Sequence, residues 1–261
     1  MDISIKEQYA LVCGSTQGIG LAVAKELAAQ GATCVLLARN GEKLRAAVAG
    51  LPAPMGQRHS YEVADFTDLK AVGIAADKIC SRFVVTILVN NTGGPAPGPI
   101  TEASFEAFYS AFSQHLGCNQ RLVQAVLPSM KARGYGRIIN VVSTSVKTPL
   151  KNLGISNTIR AAVAGWAKTL ANEVGKFGIT VNNVLPGSTY TKRLEGLIEK
   201  IASDTGKPWA EVERAIEADI PLKRIGNAEE IANVVAFLAS PAASYVSGTS
   251  IPVDGGKTPS I

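Results

Sequence analysis

Histidine is nearly absent. The chain of 261 residues has His59 and His115 only, and its four cysteines, Cys13, Cys34, Cys80 and Cys118, contain no CxxC pair. That excludes the ligand spacing of a zinc site and any disulfide framework, and predicts no metal. Scattered thiols of this kind suit a reducing compartment, where they behave as small apolar groups. No stretch reaches the ~20 apolar residues of a membrane helix. The opening MDISIKEQYALV has no apolar core of a secretion signal. The expectation is a cytoplasmic chain without a membrane partner. Nor is there a strong charge of one sign. Lys and Arg number 26 against 21 Asp and Glu, a net +5, with the signs interspersed, which argues against a nucleic-acid partner.

What is abundant is small and apolar. The composition is 46% hydrophobic with 25 glycines and only 6% aromatics, suited to helices packed closely on a sheet. Continuous apolar runs alternate with helical patterns almost end to end. YALVCG, TCVLLAR, SYEVAD, VTILVNNTGG, GRIINVVSTS, ITVNNVLPG and SGTSIPVDGG read as strands. IGLAVAKELAAQG, NGEKLRAAVAGL, DLKAVGIAADKICSRF, the long stretch 104–134, TIRAAVAGWAKTLANEVGKFG and NAEEIANVVAFLAS read as helices, with Asn40 as an N-cap of the second. Unbroken apolar strands are those of a parallel sheet covered on both faces. The fold class is therefore α/β: one doubly wound domain over residues 1–261, a seven-stranded parallel sheet between two helix layers.

VCGSTQGIG, residues 12–20, joins the first strand to the first helix. Gly14, Gly18 and Gly20 would turn the chain tightly and let a phosphate reach backbone N–H groups at the helix N-terminus, with Ser15 and Ile19 beside it. Glycines also mark ordinary turns; the strand-to-helix position favours the phosphate.

The spacing GxxxGxG in CGSTQGIG resembles the TGxxxGIG loop of the short-chain dehydrogenases/reductases, with Cys13 for Thr. Other segments follow in family order. Asp65 in VADFTD resembles the acidic residue beside the adenine. LVNNTGG resembles the NNAG motif, with Asn91 kept and Thr92 for Ala. NVLPGSTYT resembles the PG-x-x-x-T segment over the nicotinamide, which brings in Pro186, Gly187 and Thr191. PLKRIGNAEEIANVVAFLAS and VDGG resemble the C-terminal region. The 3-oxoacyl-[acyl-carrier-protein] reductases are the most similar type. The resemblance implies a Rossmann-type domain, a nicotinamide cofactor, a small carbonyl or acyl substrate, and a homotetramer with helices of 102–133 and 156–175 at an interface.

The second strand ends VLLARN. A site for NAD would place a carboxylate there for the ribose hydroxyls. Ala38 and Arg39 stand there instead. A guanidinium can grip a 2′-phosphate with two hydrogen bonds, so NADP(H) is expected; the alternative is an Arg39 that points into water.

The catalytic positions depart from the family. Its Ser is matched by Ser143. Its Tyr falls on Ser156, its Lys on Arg160 and its Asn on His115. A serine hydroxyl is a far weaker acid than a phenol and needs a partner to act. Arg160 stays protonated, so it can hold ribose and stabilise negative charge but cannot cycle a proton. His115 is either a proton relay or a packed imidazole, and Tyr190 either a mobile phenol or a lid residue. Residues 188–220 hold two helical patterns, LEGLIEKIA and WAEVERAIEA, and read as a substrate lid or as an ordinary packed insertion. Three functions stay open: a carbonyl reductase with a proton route that bypasses Tyr, a non-catalytic NADP(H)-binding sensor or assembly partner, and a lyase, isomerase or dehydratase on the same scaffold.

Overall fold

The computed structural model describes residues 2–260. Seven strands form a parallel sheet: β1 (Tyr9–Cys13), β2 (Thr33–Ala38), β3 (Ser60–Val63), β4 (Val85–Asn90), β5 (Gly136–Val141), β6 (Ile179–Pro186) and β7 (Ser250–Val253). Their order is β3-β2-β1-β4-β5-β6-β7. The order reverses between β1 and β4, so the carboxyl ends of these strands frame a crevice where a ligand can sit. Every residue of β4 and β5 is buried, the polar Thr86, Asn90, Arg137 and Asn140 among them.

Helices cover both faces. On one side α1 (Gly18–Ala29), α2 (Gly41–Ala49) and α9 (Ala228–Ala239) pack Val23, Leu27, Leu44, Val235 and Leu238 on the sheet. On the other, α3 (Leu69–Cys80), α5 (Cys118–Arg133) and α6 (Gly154–Val174) contribute Val72, Ile79, Leu122, Val126 and Val174. Local chemistry sets the helix starts. Asn40 accepts from the Lys43 N–H at 2.9 Å and Asp68 from Ala71 at 2.9 Å, while Asn227 and Glu230 form a capping box. Polar side chains stitch the sheet near its carboxyl edge. Asn90 donates to Asn140, Asn140 to Asn183 and Asn183 to Ser250, at 2.8, 2.9 and 3.0 Å.

Two helical regions differ from the periodicity-based expectation. The stretch 104–134 is not one uniform helix: α4 (Phe105–Phe112) passes through a π-helical turn, Ser113–Gly117, into α5. The wider turn lets His115 lie inside the protein, 2% exposed. And α6 begins at Gly154, ahead of Thr158; Gly154 packs on the chain at Ile100, where a Cβ would lie 2.6 Å from Ile100 Cα. Ser156 and Arg160 are thereby both helical. After β6, α7 (Lys192–Thr205) and α8 (Trp209–Ala218) join through Leu194, Ile198, Val212, Ile220 and Ile225, a small core of their own. No helix among the described residues is long and apolar enough to cross a membrane.

Candidate active site

The loop from β1 to α1 is shaped for close approach. Gly14 has φ +58°, and a Cβ there would lie 2.5 Å from the Asn91 carbonyl oxygen; a Cβ at Gly20 would lie 2.2 Å from that of Gly14. Asn91 Nδ2 donates to the carbonyls of Cys13 at 3.3 Å and Gly14 at 3.2 Å, fastening the end of β4 to the loop. Gln17 gives α1 no side-chain cap, so its first-turn N–H groups keep their bonding capacity. Ser15 is fully buried and its hydroxyl has no protein partner. Gly18 faces Thr191, whose Cγ2 would be 3.1 Å from an added Cβ. Pro186 and Gly187 close the same side at the end of β6, with the Gly187 N–H held by Val253 at 3.0 Å. Uncapped amides, a cradle that excludes Cβ atoms and an orphaned hydroxyl fit the pyrophosphate of a dinucleotide.

A cleft of about 770 Å³ opens beside this loop. Gly14, Gly18, Ile19, Gly20, Asn91, Ser143, Ser156, Arg160, Pro186, Gly187 and Thr191 all line it. Four expected residues do not. Ser15 is buried within the loop itself. Arg39 and Asp65 stand further along the carboxyl edge, after β2 and β3, where Arg39 is exposed. Asp65 is held below the usual carboxylate range, mainly by the N–H and hydroxyl of Thr67, both at 2.9 Å, with the charge of Arg39 a smaller cause. His115 sits behind the cleft wall.

Ser156 and Arg160 are one helical turn apart and share a face of α6. The Ser143 hydroxyl accepts from the Ser145 N–H at 3.1 Å and remains able to donate. Arg160 Nη1 donates to the Val141 carbonyl at 3.1 Å, which fixes the guanidinium at the end of β5. Burial, and secondly the charge of Arg193, pull its pKa down to about 10, so it remains a cation at neutral pH. His115 Nδ1 is 2.7 Å from Thr92 Oγ1, and its Nε2 is buried without a partner. Burial, Arg160 and Arg193 push its pKa to about 3. The imidazole is neutral at physiological pH. Tyr190 does not reach the cleft: its hydroxyl donates to Glu213 at 2.7 Å, tying the start of α7 to α8, and that bond raises its pKa to about 12. Asn157 exchanges two hydrogen bonds with the Leu150 backbone, at 3.2 and 2.8 Å.

A family model described as enoyl-(acyl carrier protein) reductase matches residues 14–258. The chain is 31% identical to the NADPH-dependent reductase BacG of Bacillus subtilis, over 98% of this chain and 100% of that one. It is 36% identical to the 3-oxoacyl-[acyl-carrier-protein] reductase FabG of Haemophilus influenzae, over 95% and 97%. The chain belongs to the short-chain dehydrogenase/reductase family. Among solved family structures, L-sorbose reductase from Gluconobacter frateurii, complexed with NADPH and L-sorbose, superposes with a TM-score of 0.94 at 33% identity, each chain covered in full.

This short-chain dehydrogenase/reductase carries site features that its motifs did not disclose. Thr92 and His115, which the motif resemblance sets at the Ala and Asn positions, are in contact. Reading them as a pair was the available signal. Arg193, Lys192, Lys200 and Lys257 also line the cleft. The basic doublet after Thr191 is the local signal for the first two, and no motif marks Lys200 or Lys257.

Proposed function

We propose that the chain is an NADP(H)-dependent oxidoreductase that reduces a carbonyl group by a proton route without tyrosine. The cofactor is NADP(H). The fit of the phosphate loop supports its binding, and the carboxylate-free end of β2 with Arg39 supports the 2′-phosphate. When bound, the cofactor supplies the hydride equivalent. Everything else is done by side chains. The Ser143 hydroxyl, oriented by the Ser145 amide, donates to the substrate oxygen. Arg160, anchored on Val141, places fixed positive charge where that oxygen becomes anionic and offers the ribose one of its remaining N–H groups. Ser156 completes the wall with a small hydroxyl and leaves room for water beside the reacting oxygen. His115, held neutral, acts as a hydrogen-bonding support for Thr92 and the wall. The proton comes from solvent, since no His, Asp, Glu, Tyr or Cys lines the cleft.

The observation that carries this reading is the pairing of an intact phosphate cradle with Ser143 and Arg160 on one cleft. We further propose a single domain over 1–261 in which 188–220 covers the substrate, because α7 contributes Leu194 and Leu197 to the cleft wall. Purified protein should oxidise NADPH in the presence of at least one member of a carbonyl panel that includes 3-oxoacyl thioesters, 2-oxo acids and sugars. Tight NADPH binding with no turnover on the whole panel would instead favour a cofactor-binding protein.

A further inference from the structure

The cleft wall has an unusual charge balance. Arg160, Lys192, Arg193, Lys200 and Lys257 line it, and among the described residues no Asp or Glu does. Lys257 has a distant acid, Asp219 at 3.8 Å, but neither Arg160 nor Arg193 is in any salt bridge among the described residues. Both guanidinium groups are instead held by carbonyls: Arg160 on Val141 at 3.1 Å and Arg193 on Pro95 at 3.4 Å. They are close enough for each to be felt electrostatically at His115, and Arg193 is felt at Arg160. Arg193 also lies in the first turn of α7, where the helix dipole disfavours a cation. Its place depends on a missing side chain: a Cβ at Gly94 would sit 2.5 Å from Arg193 Nη1. Two guanidinium groups gathered against their own repulsion, with no acid between them, match a planar anion that accepts paired hydrogen bonds.

We infer that Arg160 and Arg193 form a recognition site for a carboxylate carried by the substrate, so that the substrate is an oxo acid. The reductase reading supplies the carbonyl; the anion site rests on the two arginines. Arg193 is the specificity-determining member, since it stands on α7 and apart from the Ser143 wall. Leu150, Leu153, Leu194 and Leu197 line the same cleft and suit an apolar chain attached to the acid.

The test is binding to protein saturated with NADP⁺, by calorimetry, of 2-oxooctanoate and 4-oxooctanoate, each against its methyl ester. NADPH affinity is followed separately by fluorescence, and folding by thermal melting. At least one acid should bind about tenfold or more tighter than its ester. Arg193→Gln should abolish that preference, with NADPH affinity kept within about threefold, and Arg193→Lys should keep only part of it. Gly94→Ala, which leaves every charge in place, should also weaken the acid. Acid and ester binding alike, or no binding of either, would overturn the inference. So would a loss of NADPH affinity in Arg193→Gln that matches the loss of acid, since the anion would then be a cofactor phosphate. A preserved acid preference without turnover would uphold the anion site while the redox reading failed.

Discussion

Position 160 carries a cation that cannot lower its own charge to trade a proton, on a helix face shared with a hydroxyl that cannot ionise. Replacing Arg160 by Gln should lower kcat/KM by about 100-fold, the usual effect of removing an oxyanion-stabilising donor. Arg160→Lys should retain part of the activity, because a point charge survives without the fork. Steady-state kinetics with NADPH titration separates the two effects. His115 gives a pH signature. Its pKa falls from 6.5 unfolded to about 3 folded. Between these values the unfolded chain binds a proton that the folded chain excludes, so stability contributed by the neutral imidazole is full above pH 6.5 and is lost as pH falls towards 3. Denaturant unfolding of wild type minus His115→Gln should show this slope, at most about 1.4 kcal/mol per pH unit. A flat difference would contradict the burial argument. These residues were legible by type and position. Their environments were not, because Thr92 meets His115, and Arg193 approaches Arg160, only through the tertiary fold.

At the scale of elements stand the phosphate loop and the pair α7 and α8. The glycine loop was readable because a strand, three small residues and a helix N-terminus succeed one another locally. Gly20→Ala would place a Cβ 2.2 Å from the Gly14 carbonyl oxygen. NADPH affinity should fall by roughly tenfold or more, since backbone cannot yield there as a flexible side chain would. The π-helical turn was hidden, because one extra residue inside a long helix barely changes its apolar period. The pair α7 and α8 was visible as periodicity, but the tie from Tyr190 to Glu213 was not, as it spans a separate helix. That tie holds the Tyr190 hydroxyl on α8 and away from the cleft. Tyr190→Phe should keep kcat within about threefold and cost about 1 kcal/mol or less in stability, the worth of one exposed hydrogen bond. A loss of kcat comparable to that of Arg160→Gln would return Tyr190 to the chemistry.

Across the whole molecule, the layered α/β architecture was legible because buried strands and amphipathic helices have different periods, and sheet order 3-2-1-4-5-6-7 is the layout such alternation supports. Assembly is not a property of that pattern. The α4 helix exposes Phe105, Tyr109 and Phe112, at 74, 69 and 49%, an apolar face within the region 102–133. We propose that this face is covered in a homotetramer. Light scattering should give four times the monomer mass, and Phe105→Asp with Tyr109→Asp should reduce it. A monomeric wild type would remove the proposal.

The central claim is direct reduction of a carbonyl at a site without tyrosine. The most direct measurement uses NADPH deuterated at the transferable nicotinamide position, wild-type protein, and a panel of oxo acids and 3-oxoacyl thioesters. Products are then read by mass spectrometry. The account predicts an alcohol carrying one deuterium on the former carbonyl carbon. No labelled alcohol from any member, in protein shown to bind NADPH, would contradict it.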